Sequence, residues 1–222
     1  IGVRLVGSEM CIRDRFGIIY VSIVWFATSY SQNSFIILYA FILLISFYEM
    51  WQLRKGKSKI FAFIYILFPL SIIQIFALKS EIYIDKTFDP SPILMMLVLT
   101  WTFDTFAYLI GSKLGKNKIA PKLSPKKSWE GLGGGLISTL IICYLITDFN
   151  LLTVKIDNFN NYTLAIFIPF TASLGDFIES YYKRQAGVKN SGKLIPGHGG
   201  ILDRIDAIMI TIPFLYLYIN LI

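Results

Sequence analysis

Charge is scarce in this chain of 222 residues: Asp, Glu, Lys and Arg make up only 16%, against 55% hydrophobic residues. That balance excludes an ordinary soluble globule of this size, and a mean hydropathy of +0.61 agrees. Cysteine is nearly missing. Cys11, near the start, and Cys143, inside an apolar run, offer neither metal-ligand spacing nor a disulfide framework. Histidine occurs once, at His198. Heptads, repeats of fixed period and low-complexity linkers are all lacking, which points to one membrane domain without a soluble appendage. A clean small-residue cleavage site is lacking too, so the first apolar run is expected to stay rather than be removed as a signal peptide. The opening IGVRLVGSEMCIRDR is polar and patternless; residues 1–15 read as a fragmentary or non-native leader and are set aside from function.

What the chain has is apolar runs. A membrane helix needs roughly 20 mostly apolar residues, and seven candidates occur: Phe16–Tyr30, Phe35–Tyr48, Ile60–Leu78, Ile93–Ser112, Gly131–Thr147, Tyr162–Tyr182 and Ile201–Ile222. The first two are short enough for a tight hairpin or a partial re-entrant pair. The expected fold is all-α and polytopic, with about seven transmembrane spans. Residues 16–92 supply the N-terminal spans, and residues 93–222 a catalytic membrane region with two basic loops. Lysine and arginine near span ends mark the cytoplasmic side. Of the 21 such residues, all but Lys79, Lys86 and Lys155 fall before the first span, in alternate loops or, for Arg204, in the first turn of the seventh run, which predicts an N-in, C-out chain. The net charge of +7 suits anionic headgroups or phosphate-bearing substrates, although membrane topology alone also accounts for it.

Carboxylates at membrane depth are costly unless paired, hydrated or bound to metal. Asp104 lies in the fourth run, Asp176 and Glu179 in the sixth, Asp203 and Asp206 at the start of the seventh. Each pair is spaced i, i+3, which puts both groups on one helical face. Two such helices suit Mg²⁺, which takes a few carboxylates plus water and substrate phosphate. The competing reading is structural: Lys183, Arg184 and Arg204 neutralise them as ion pairs.

Between the pairs runs KRQAGVKNSGKLIPGHGG, Lys183 to Gly200. Its Gly197, Gly199 and Gly200 permit close backbone approach to phosphate, Pro196 stiffens the turn, and the following helix start offers N–H groups to an anion. Turns need glycines as well. His198 reads equally as a substrate contact or a hydrogen-bonded structural residue. The other basic loop, Gly111 to Gly135, carries six lysines, two prolines and a second glycine cluster. A solvated positive-inside loop explains the lysines. It leaves Ser124, Ser128, Trp129 and Glu130 unexplained, and these suggest a shaped surface. Trp129 also fits an interfacial anchor, and Gly133, Gly134 and Gly135 also fit close helix packing.

At these residues the chain resembles the phosphatidate cytidylyltransferase (CDP-diacylglycerol synthase) family. The C-terminal signature of that family has the form S-x-x-K-R-x4-K-D, a short glycine-containing spacer, then P-G-H-G-G-x-x-D-R-x-D. Ser180, Lys183, Arg184 and Lys189 match its first half; Pro196, Gly197, His198, Gly199, Gly200, Asp203, Arg204 and Asp206 match the second. Gly175, Asp176, Glu179 and Ser180 resemble the G-D-x-x-E-S segment. Asp104, Gly111, Lys116, Ser124, Lys126, Trp129 and Glu130 are among the matches to the central loop. The resemblance is firm from about Thr102 to Asp206. One departure stands out: Asn190 occupies a place where the signature has Asp.

The resemblance implies a membrane nucleotidyltransferase of phospholipid biosynthesis that joins CTP to phosphatidic acid, giving CDP-diacylglycerol and pyrophosphate. Asp176, Asp203 and Asp206 would bind a divalent metal, Mg²⁺ with the option of a second ion. Asp104, Glu130, Glu179 and Asn190 would support them. Lys183 and Arg184 would act at the reacting phosphates. Ser124, Lys126, Lys127, Ser128, Lys189, Lys193, His198, Gly199, Gly200 and Arg204 would bind substrate. The implied setting is the bacterial inner (plasma) membrane, with the active site facing the cytosol, membrane lipid as partner, a homodimer as an option and no nucleic acid. Two other classes compete. An ion-coupled transporter would place charges at span centres within inverted repeats, and neither is visible. A CDP-alcohol phosphotransferase or a prenyltransferase would also space aspartates along helices, but with different spacing and without PGHGG.

Overall fold

A computed structural model describes residues 2–82, 88–152, 158–195 and 199–221. Among these the chain forms seven long helices and one short hairpin, in the order α1 (Gly2–Tyr30), α2 (Gln32–Leu53), α3 (Ile60–Ile82), α4 (Ser91–Leu114), β1 (Lys118–Ala120), β2 (Ser124–Ser128), α5 (Trp129–Asp148), α6 (Asn158–Gln185) and α7 (Leu202–Leu221). Each helix coincides with one of the seven apolar runs. Four of them, α2, α3 over Ile60–Ala77, α4 and α5, are long and apolar enough to cross a membrane. At the N-terminus the helix α1 continues back through the polar segment to Gly2, so that α1 and α2 run for 29 and 22 residues.

The chain divides into two compact units. Unit 1 comprises Ile1–Phe88 and Tyr182–Ile205. A single residue, Ser31, joins α1 to α2. Its side chain accepts from the Ser34 N–H while Ser34 Oγ accepts from the Ser31 N–H, so two orphan donors at the helix start are satisfied reciprocally. Thr28 and Tyr39 hydroxyls meet at 3.3 Å between α1 and α2. The Gln74 Nε2 amide of α3 donates to the Ile36 carbonyl of α2 at 3.2 Å, and Phe47 stacks on Phe63 at 4.3 Å. Phe35, Tyr39, Met50, Ile66, Leu70 and Ile73 fill the interior.

Unit 2 comprises Asp89–Tyr181 and Asp206–Ile222. Its tightest packing is α4 on α5, and glycine makes it so. A Cβ on Gly135 would meet the Phe103 ring and Ala107, one on Gly134 would meet Ile110, and one on Gly131 would meet the Ala107 carbonyl and Gly111. Small residues let helix backbones approach where apolar solvent supplies no hydrophobic drive. Gly133 has nothing within 4 Å, so the close-packing reading holds for its two neighbours and not for it. Phe103, Ala172 and Ala207 form a buried cluster from α4, α6 and α7, with Ala107 against it. Thr171 and Thr211 pair at 3.0 Å across α6 and α7.

Candidate active site

Unit 2 holds the central basic loop as a closed hairpin. The strands β1 and β2 pair antiparallel, Lys118 opposite Ser128 and Ala120 opposite Ser124. The base is shut by backbone and side chain together: the Trp129 N–H donates to the Asn117 carbonyl at 3.0 Å, and the Glu130 carboxylate accepts from Asn117 N at 3.1 and 3.2 Å and from its Nδ2 at 2.8 Å. Glu130, expected as a supporting residue, ties the loop's two ends together. Ser128 is buried as the N-cap of α5, accepting from Gly131 N at 3.2 Å. Gly111 and Gly115 pack around that hydroxyl. Ser124 is half-buried and Lys126 exposed. Lys127 turns toward α6, where its ammonium pairs with Asp176 and lies 5.1 Å from the Phe177 ring centroid.

Asp176 stands at a helix crossing. A Cβ on Gly175 would collide with the Asp206 carbonyl oxygen, so the α6 and α7 backbones touch there, and Asp176 and Asp206 flank the contact. Asp206 Oδ1 also accepts from Ala207 N at 2.9 Å. Glu179, one turn on, is fully buried, whereas Asp104 on α4 is exposed.

Unit 1 holds the signature loop between α6 and α7. Asp203 organises it. One carboxylate oxygen accepts from Lys183 Nζ at 2.7 Å; the other accepts from Ser191 N at 2.8 Å, Gly200 N at 2.9 Å and Ser191 Oγ at 3.0 Å. Lys183 and Asp203 are both nearly buried. The ion-pair reading of Lys183 thus describes its state here. The backbone amides expected to greet phosphate are already engaged: Gly199 N donates to the Ile195 carbonyl, Gly200 N to Asp203. Gly199 has φ +90°, a conformation L side chains rarely adopt, and a Cβ there would press on Asp203 and Asn190. These glycines give the loop its shape. Arg184 donates to the Val188 carbonyl at 2.8 Å and is exposed, as are Lys189, Asn190, Lys193 and Arg204. Pro196, Gly197 and His198 lie outside the described residues.

Sequence reasoning overlooked Glu49. This carboxylate on α2 is 5% exposed and accepts from Ser191 Oγ at 2.8 Å, Ile201 N at 3.0 Å and Leu202 N at 2.9 Å. The signal was present, because Glu49 is the sole charged residue of α2, but it falls one place beyond the end of the apolar run.

A divalent cation asks for carboxylate oxygens that can turn to it. Asp203 is already engaged as arranged: its Oδ1 accepts from Lys183 Nζ and its Oδ2 from the Ser191 and Gly200 N–H groups, with the Ser191 hydroxyl shared between Asp203 and Glu49. Asp176 and Asp206 sit at one helix contact, where Gly175 meets the Asp206 carbonyl, and the Lys127 ammonium stands at Asp176 as Lys183 does at Asp203. Within neither unit, among the described residues, do three His, Cys, Asp or Glu side chains gather as a protein-only metal cage would need.

Similar proteins carry one name. The chain is 39% identical over 184 residues to phosphatidate cytidylyltransferase of Haemophilus influenzae, covering 79% of this chain and 62% of the relative. It is 38% identical over 172 residues to that of Thermotoga maritima, covering 73% and 62%, and 41% identical over 125 residues to that of Bacillus subtilis, covering 56% and 45%. The chain thus spans about three fifths or less of the length of these curated relatives. A family model described as the cytidylyltransferase family matches residues 18–222, which takes in both basic loops and every helix that bears a candidate carboxylate, and the chain belongs to that family.

Proposed function

We propose that this membrane protein transfers the cytidylyl group of CTP to phosphatidic acid, releasing pyrophosphate and leaving CDP-diacylglycerol in the bilayer. The observation that carries the reading is the family match over residues 18–222, which includes the Gly199–Asp206 signature and the Lys127–Asp176 pair. In the reaction an oxygen of the lipid phosphate attacks the α-phosphorus of CTP. A new P–O bond forms, the α–β phosphoanhydride bond breaks, and pyrophosphate leaves with the electron pair. The lipid phosphate is already ionised near neutral pH, so no side-chain base is needed to activate it. The protein's task is to neutralise two polyanions and align them.

Lys126, Arg184, Lys189, Lys193 and Arg204 are exposed cations suited to meeting phosphates. Lys127 and Lys183 are held by carboxylates, which fixes where their charge lies. Asp176 and Asp206 would hold a divalent cation, Mg²⁺ by its liking for carboxylate and phosphate oxygen; when bound it supplies positive charge beside the phosphates. All seven helices are taken to span the bacterial inner membrane, N-terminus inside and C-terminus outside. The support is the crowding of Lys and Arg into alternate loops, which also puts both basic loops on the side where CTP is found.

The test is an assay on the purified chain in detergent with labelled CTP and phosphatidic acid. Lipid-linked label and pyrophosphate should appear in equal amounts and require Mg²⁺. No lipid-linked label in the presence of Mg²⁺ would overturn the reading.

A further inference from the structure

We propose that Glu49 is a positioning residue for the signature loop, a lock carried by an N-terminal helix on residues that lie 142 to 153 positions further along the chain. The inference rests on the cytidylyltransferase reading for its effect on turnover. The geometry behind it belongs to unit 1 alone.

Residues 186–195 and 199–201 lie in no regular helix, and besides a few local backbone bonds such as the Ile195–Gly199 pair their shape is held by side chains. Two carboxylates impose it. Asp203 gathers Ser191 N, Ser191 Oγ and Gly200 N from within the loop's own neighbourhood. Glu49 comes from α2 and takes the other side: Ser191 Oγ, then the Ile201 and Leu202 N–H groups where α7 begins. Those two N–H groups are orphan donors of a helix start, and the partial positive charge there favours a carboxylate. Ser191 stands between both acids with one hydroxyl proton, which it can give to only one of them at a time, so it couples the two anchors. The fit is close on every side. A Cβ on Gly192 or on Gly200 would run into the Glu49 carboxylate. The helix-start amides that a phosphate would otherwise take are thereby committed to a protein anion, and substrate is left to the exposed cations Lys189, Lys193 and Arg204, whose placement follows the loop.

A neutral amide of the same shape cannot do this. Glu49→Gln keeps one acceptor oxygen and turns an NH₂ group toward N–H or O–H donors, so at least one buried donor loses its partner. The experiment is hydrogen exchange followed by mass spectrometry, with steady-state kinetics, on the full chain in detergent. In Glu49→Gln, exchange in peptides covering 191–202 should rise by about tenfold or more and kcat should fall by a similar factor, because a bond to a charged group is being lost. Exchange in α3 and α4 should stay as in the parent. Ser191→Ala should loosen the same segment less, and the double variant should be no worse than Glu49→Gln alone, since the shared bond is lost once. If Glu49→Gln fails to fold, Glu49→Asp, which keeps the charge but withdraws it by one methylene, takes its place with the same expected pattern. Parent-like exchange over 191–202, or unchanged kcat with a loosened loop, would overturn the proposal. Should the parent chain transfer no cytidylyl group at all, the catalytic reading falls, and the exchange measurement alone decides whether Glu49 locks the loop.

Discussion

Replacing Ser128 by Ala separates the substrate contact expected from the sequence from the helix cap seen in the structure. The hydroxyl is 2% exposed and accepts the Gly131 N–H at 3.2 Å at the start of α5. Losing a serine N-cap costs about 1 kcal/mol, whereas a glycine in its place costs only a few tenths. The cavity adds little, because only one oxygen is removed. For a chain of this length about 1 kcal/mol lowers Tm by roughly 2–4 °C. Cys143 is buried and gives a direct readout: with Cys11 changed to Ser, a thiol-reactive dye reports the temperature at which α5 opens. The expected order of Tm is Ser, then Gly, then Ala, with KM for CTP unchanged in all three. If Ala and Gly both raise KM for CTP several-fold at parent Tm, Ser128 touches substrate and the capping argument fails.

Gly175→Ala should destabilise by about 1–3 kcal/mol through overpacking, since the new methyl meets the Asp206 backbone. Gly133→Ala, which meets nothing, should hold or raise Tm; thermal melts of the two side by side check this, and equal Tm values would refute it. Asp206→Asn should raise the Mg²⁺ concentration for half-maximal turnover, while Asp203→Asn should chiefly lower Tm by leaving Lys183 short of its anion. A shifted Mg²⁺ curve in Asp203→Asn alone would reverse that assignment. Asn190→Asp adds an exposed carboxylate beside Gly199 and is expected to lower the Mg²⁺ requirement; overlapping titration curves would make position 190 a turn residue only.

The helices were legible because a run of apolar side chains is a local property: Gly131–Thr147 in sequence becomes Trp129–Asp148 in structure with two residues added at one end and one at the other. The hairpin was not legible, because its closure depends on Asn117 meeting Glu130, thirteen positions away, and no short pattern announces that pair. Spacing alone could not show that Asp203 is engaged by Lys183, Ser191 and Gly200, whereas Asp176 meets Lys127 from the other basic loop. Glu49 was missed for a plainer reason. Glu49 stands one residue past the apolar run that ends at Tyr48, and its partners lie far along the chain, so no local pattern marks it.

The hairpin's closed base also has a practical side. Because Asn117, Trp129 and Glu130 fasten the two ends, and the Leu123 N–H closes the turn on Ala120, residues 121 and 122 form a tip that bears none of the fastening. Pro121 and Lys122 there are exposed. A short epitope or a fluorophore grafted between them would ride on the loop without unpicking its base, so this protein carries a ready attachment point from which the basic loop can be watched while substrate arrives.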